Sequence, residues 1–157
     1  MSPTTNHDRF VYVTYIRTTP DKVWQALTTP DFHRRYWFGM HIDSDFKVGS
    51  PWRLLFEDGR TADAGEVLEA DPPKRLVISW RHEWRPELTA EGVARASFDI
   101  VPTEDSVKLT VVHEIDRPGS KLIESVSGGW PRILSSLKSL LETGESLSRQ
   151  ATEPRAA

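Results

Sequence analysis

Two hydrophobic periodicities divide this chain. Towards the C-terminus, Trp130, Ile133, Leu134, Leu137, Leu140 and Leu141 recur at helical spacing, with Arg132, Ser135, Ser136, Lys138 and Ser139 between them. That is one apolar face of a 3.6-residue repeat and predicts a long amphipathic helix. Upstream the runs are short, rich in β-branched and aromatic residues, and punctuated by turn formers. "FVYVTYI" (10–16), "MHIDSDF", "WRLLF", "ADAGEVLEA", "RLVISWRHEW", "VARASFDIV" and "SVKLTVVHEI" read as strands. They are separated by "KVGSP", "EDGR", "DPPK" and the loop "RPELTAEG", with "PTED" closing a hairpin. After the first strand, Thr19-Pro20 and Thr29-Pro30 mark two short helices in tandem, each with a threonine cap and a proline in the first turn. Val23, Trp24 and Leu27 form the buried side of the first helix; Phe32, Tyr36 and Trp37 anchor the second.

"DRPGS" breaks the strand pattern, and the chain then reads as helical until Gly144, which suits a left-handed helix end. The most regular part of this helix opens on Gly128, Gly129, Trp130 and Pro131. This predicts Pro131 in a first turn, where its missing N–H costs nothing. The glycines would then let the backbone pass close to the sheet and aim Trp130 at one end of its concave face; alternatively they only form a loop before the helix. The order of strand, two short helices, about six strands and one long helix predicts an α+β domain. Its curved antiparallel β-sheet would wrap around the long C-terminal helix. One such domain is expected over residues 8–145, with flexible termini at 1–7 and 146–157.

Composition narrows the partners. Twenty Lys and Arg against 23 Asp and Glu, scattered through 157 residues, leave a net charge of −3 and no basic surface for nucleic acid. The absence of cysteine excludes disulfides, a thiolate nucleophile and a thiolate metal site. No apolar run approaches the ~20 residues of a membrane span, and no signal peptide is visible, so no membrane partner and a cytoplasmic location are expected.

The chemistry-bearing motifs are sparse. There is no phosphate loop, no G-x-S-x-G elbow and no H-E-x-x-H, and the five histidines (7, 33, 41, 82, 113) lack metal-ligand spacing. Accordingly no metal, cofactor or catalytic residue is assigned. His82-Glu83 and His113-Glu114 cannot each form one site within a strand, because neighbours point to opposite faces. Period two does place His113 in phase with Val107, Leu109 and Val111, and His82 with Leu76, Ile78 and Trp80, and with Trp84 if the strand continues. Both imidazoles thus belong to apolar faces, as polar groups of a ligand cavity or, more commonly, as core histidines bonded to backbone or water. Six tryptophans are a large endowment for this length. Trp24 is assigned to the core. Trp37, Trp52, Trp80 and Trp130, with Leu54, Phe56, Phe98, Leu134 and Leu137, are the candidate cavity wall, although packing without a ligand is the commoner role for any one of them.

Four stretches in order, "TTPDKVWQALTTPDFHRRYW", "VGSPWRL", "GEVLEADPPKRLVISW" and "SGGWPRILSSLKSLLETG", resemble the START-like or helix-grip (SRPBCC) superfamily. Within it they resemble bacterial proteins similar to the activator of the heat-shock-90 chaperone ATPase. The resemblance spans residues ~10–145 and implies a curved antiparallel sheet gripping a C-terminal helix, often with a cavity between them. Together with the residues it points to a protein that binds a small apolar or aromatic molecule. The ligand site would be Trp37, Trp52, Leu54, Phe56, Trp80, His82, Phe98, His113, Trp130, Leu134 and Leu137. Two alternatives stand beside it. One is a cyclase- or hydrolase-like enzyme using His82, His113 or Tyr36 as acid or base. The other is a stress-related co-chaperone-like interaction module, although the chain lacks the activator's further N-terminal domain and fold alone is a weak warrant. A homodimer is compatible with either.

Overall fold

The computed structural model describes residues 7–147; of the termini expected to be flexible, residues 1–6 and 148–157 lie outside the described residues. β1 (Asp8–Ile16) is followed by α1 (Pro20–Thr28) and α2 (Pro30–Tyr36). A meander follows: β2 (His41–Ser44), β3 (Pro51–Leu55), β4 (Thr61–Asp71), β5 (Arg75–His82), β6 (Ala94–Pro102) and β7 (Val107–Ile115), with a short α3 (Pro86–Thr89) between β5 and β6. The chain then enters α4 (Lys121–Thr143). The seven strands form one antiparallel sheet in the order β1-β7-β6-β5-β4-β3-β2. β1 and β2 are therefore its two edges, bridged by α1 and α2. This is the curved sheet and long C-terminal helix that the element order predicts.

The local chemistry follows the sequence in most places. The Thr19 side chain accepts from the Lys22 amide and Pro20 opens α1. In α2 the proline again leads, but Thr29 makes no side-chain cap. Strand phase is read correctly: Leu76, Ile78, Trp80 and His82 of β5, and Val107, Leu109, Val111 and His113 of β7, all face the interior. Trp24, assigned to the core, is only partly buried and packs against its margin.

Two elements differ from expectation. The loop at "RPELTAEG" contains α3, because Pro86 starts a turn in which the amides of Leu88 and Thr89 donate to the Arg85 carbonyl. α4 begins at Lys121 rather than at the glycines. Ser120 caps it by accepting from the Ile123 amide, and Glu91 reaches across to accept from the amides of Lys121 and Leu122 and from the Ser120 hydroxyl. These caps satisfy the orphan donors early, so Gly128, Gly129 and Pro131 fall inside the helix. Pro131 is thus an interior proline that lacks the usual amide bond one turn back. Gly128 is exposed, and a Cβ added there would meet nothing within 4 Å, so close approach to the sheet is not its role.

The close approach occurs elsewhere. A Cβ on Gly65 would lie 2.0 Å from the Ser79 carbonyl oxygen and 2.6 Å from Trp52 Nε1. Only glycine lets β4 pass there while the Trp52 indole donates to Ser79 at 2.8 Å. At the sheet edge, Lys138 of α4 donates to the Tyr15 carbonyl, and the Arg17 amide donates to Glu142 at 2.8 Å. The last turns of α4 therefore occupy backbone groups that an edge strand would otherwise expose. No helix of the described residues is long and apolar enough to cross a membrane.

Candidate functional site

Wide side chains on the concave face are set opposite narrow ones. Trp80 pairs across strands with Ala94, His113 with Ala96, and Trp52 with Gly65. The room left by the small partners is taken by rings. Trp80 lies 4.8 Å from Trp52 and 4.8 Å from His113 by ring centroids, 5.8 Å from Trp130 and 6.5 Å from Trp37. Trp130 lies 5.4 Å from Trp37 and 5.7 Å from Phe98. These are edge-on and offset packings of the kind that stabilise aromatic cores.

All eleven residues predicted to line a ligand site are buried. The structure brings Trp37, Trp80, Phe98, His113 and Trp130 into one cluster, with Trp52 joined to it through Trp80. Leu134 and Leu137 belong to the same core from the α4 side. Phe56 and His82 lie apart from that cluster, each against the exposed ring of Trp84 (5.6 and 5.8 Å), and Leu54 pairs with Asp63 across β3 and β4. A planar ring slipped between two others requires about 7 Å between the outer planes. The Trp37–Trp130 and Trp80–Trp130 centroid separations, 5.4 and 5.8 Å, are shorter than that. A guest must therefore lie beside this cluster or part it. A separate surface groove of about 370 Å³ lies between α3 and the start of α4, lined by Arg85, Glu87, Leu88, Lys121, Glu124 and Ser125. It shares no residue with the predicted set.

The polar atoms inside this wall are incompletely paired. The Trp52 indole donates to Ser79, Trp80 to Asp63 Oδ1 at 3.0 Å, and Trp130 to His113 Nδ1 at 3.0 Å. Among the described residues, Trp37 Nε1, His113 Nε2, His82 Nε2 and Asp63 Oδ2 are buried with no hydrogen-bond partner. An indole N–H can only donate, so His113 Nδ1 is the acceptor and the neutral ring carries its proton on Nε2. Burial keeps this imidazole neutral, lowering its pKa to about 3. His113 Nε2 and Trp37 Nε1 are thus two unpartnered donors on rings that both touch Trp80 and Trp130.

The buried His33, and Tyr36 among the acid–base candidates, have structural duties. His33, buried and lowered to about 4 chiefly by desolvation, uses both nitrogens. Its Nδ1 accepts from the Ile42 amide at 3.1 Å, and its Nε2 donates to the Leu27 carbonyl at 2.7 Å. The Tyr36 hydroxyl donates to the Ala26 carbonyl at 2.8 Å, and burial pushes it far above its usual range. Asp63 was not singled out from the sequence, and it is the carboxylate of the site. It sits across from His82 in the β4–β5 register, with its Oδ1 2.8 Å from His82 Nδ1. The signal was an acidic residue in phase with apolar ones in "ADAGEV", legible only once the strand pairing is known.

Residues 17–142 match the family described as activator of Hsp90 ATPase homolog 1-like protein, and the chain belongs to that family. Its fold, a curved antiparallel sheet around a long C-terminal helix with two short helices after the first strand, is the helix grip. Protein MLL2253 of Mesorhizobium loti is 25% identical, with a TM-score of 0.74 over 85% of this chain and 96% of that one. CalU16 of Micromonospora echinospora is 20% identical, with a TM-score of 0.69 over 87% of this chain and 77% of that one. An Aha1 dimer from Colwellia psychrerythraea is 22% identical, with a TM-score of 0.68 over 88% of this chain and 99% of that one. None of the curated proteins matches.

Proposed function

We propose that this protein binds a small, largely apolar, ring-containing molecule between the sheet and α4. The observation that carries the reading is the pair of donors, Trp37 Nε1–H and His113 Nε2–H, buried against the aromatic wall with no protein acceptor. Leaving such a donor unpaired costs roughly 1–3 kcal/mol. A guest carrying a carbonyl oxygen among its rings recovers that cost and exchanges water for aromatic contact. The same arrangement disfavours a charged guest, since the surroundings are indole and phenyl rings with no cation among the predicted residues. Because the central rings touch one another, a guest that enters between them must rotate them.

Titration with flavonoids, fatty acids and aromatic polyketides, read by tryptophan fluorescence, tests this. Ring-containing carbonyl compounds should give saturable changes with micromolar midpoints, and fatty acids weaker ones. Trp130→Ala should weaken the response by ~1–3 kcal/mol while the fold persists. A flat response to every compound, in a protein that still unfolds cooperatively, contradicts the reading.

A further inference from the structure

The Asp63–His82 pair is built differently from the other buried histidines. Both side chains are 1% exposed. Asp63 Oδ1 receives two bonds, from the Trp80 indole at 3.0 Å and from His82 Nδ1 at 2.8 Å. A carboxylate accepts only, so the imidazole proton that faces it is on Nδ1, and in the neutral ring the lone pair lies on Nε2. That atom is buried with no partner among the described residues. His33 shows what a purely structural histidine does in this fold: both of its nitrogens are bonded to backbone. His82 instead has one nitrogen fixed by a buried carboxylate and the other left free. Its backbone is held as well, since the Thr89 hydroxyl donates to the His82 carbonyl at 2.7 Å. The ring lies beside Trp84, centroids 5.8 Å apart, and Trp84 is 38% exposed.

Resting on the interior-binding reading above, we propose that His82, oriented by Asp63, accepts the proton of a hydroxyl group on the bound ring, making the ligand class a phenol or enol. In the bonded complex the ligand O–H donates to Nε2. On full transfer the O–H bond breaks, an Nε2–H bond forms, and the electron pair stays on the oxygen. The imidazolium so formed faces the Asp63 carboxylate, which stabilises it without taking the proton. Trp80 contacts the rings of Trp37 and His113 and shares Asp63 Oδ1 with His82, so the interior complements a ring system carrying both a carbonyl and a hydroxyl.

The test compares 2-naphthol with 2-methoxynaphthalene, in which a methyl group replaces the hydroxyl proton and removes the donor. The wild-type protein should bind both, and 2-naphthol ~10-fold more tightly, as a bond to a charge-supported acceptor requires. In Asp63→Asn and His82→Phe the ratio of the two affinities should fall below ~2-fold. Equal binding of the two probes by the wild type, or a preference that survives both substitutions, overturns this inference and leaves the cavity reading standing. If neither probe binds while a ring-containing carbonyl compound does, this inference falls and the interior-binding reading stands; if no ring compound binds, both fall. Should the variants fail to fold, ¹⁵N NMR of wild-type His82 decides the matter. An unprotonated Nε2 that shifts with 2-naphthol but not with its ether is expected, whereas a protonated Nε2 in the free protein overturns the proposal.

Discussion

Lowering the pH from 7 to 5 should destabilise this protein by about 4 kcal/mol through two histidines alone. In the folded state burial holds His33 at about 4 and His113 at about 3, against 6.5 for the exposed side chain. Both are bases whose folded pKa is depressed, so the unfolded chain binds more protons than the native one below pH 6.5. Stability is full above that value and is lost as the pH falls towards 4 and 3, where the native rings finally charge. At ~1.36 kcal/mol per pKa unit, the 1.5 units between 6.5 and 5 amount to ~2 kcal/mol for each ring. That sum is a large part of the ~5–15 kcal/mol typical of a domain. Carboxylates held low by their bonds contribute little in this window. Glu142 (chiefly through Lys138) and Glu91 (where bonds from Ser120, Lys121 and Leu122 outweigh burial) titrate below their ordinary 4.5. Urea unfolding at half-unit steps of pH measures the effect. His113→Gln and His33→Gln should each start less stable and each lose about half of the slope. A midpoint unchanged between pH 7 and 5, or variants that keep the full wild-type slope, refutes the reasoning.

Two further outcomes follow from the packing. Gly65→Ala places a methyl group 2.0 Å from the Ser79 carbonyl oxygen, which is backbone and cannot swing aside; it should cost at least ~3 kcal/mol in thermal unfolding and disturb the Trp52 emission. Glu91→Ala removes the acceptor shared by Ser120, Lys121 and Leu122, and should cost ~1 kcal/mol while speeding hydrogen exchange at the first amides of α4.

The strands, the phase of His82 and His113 and the interior placement of Trp37, Trp52, Trp80 and Trp130 were legible because each rests on local periodicity. The start of α4 was not. Gly128, Gly129 and Pro131 weaken a helix locally, and what carries the helix through them is non-local. Glu91 caps it from the loop between α3 and β6, and Leu122, Ile123 and Val126 are buried against the core. Asp63 was hidden for a related reason. His82-Glu83 drew attention as neighbours in sequence, whereas the true partner of His82 is set by β4–β5 register and lies 19 positions away. Gly65 likewise reads as an ordinary strand glycine until β5 is laid beside it.

Whether a ring compound enters the interior is tested most directly by the indole N–H signals of the six tryptophans in a ¹H–¹⁵N spectrum, recorded with and without 2-naphthol. The signals of Trp37, whose N–H has no partner among the described residues, and of Trp130, in contact with it, should move furthest and saturate together, while Trp24 stays still. A spectrum in which Trp37 and Trp130 hold their positions, whether surface signals move or none do, contradicts the account.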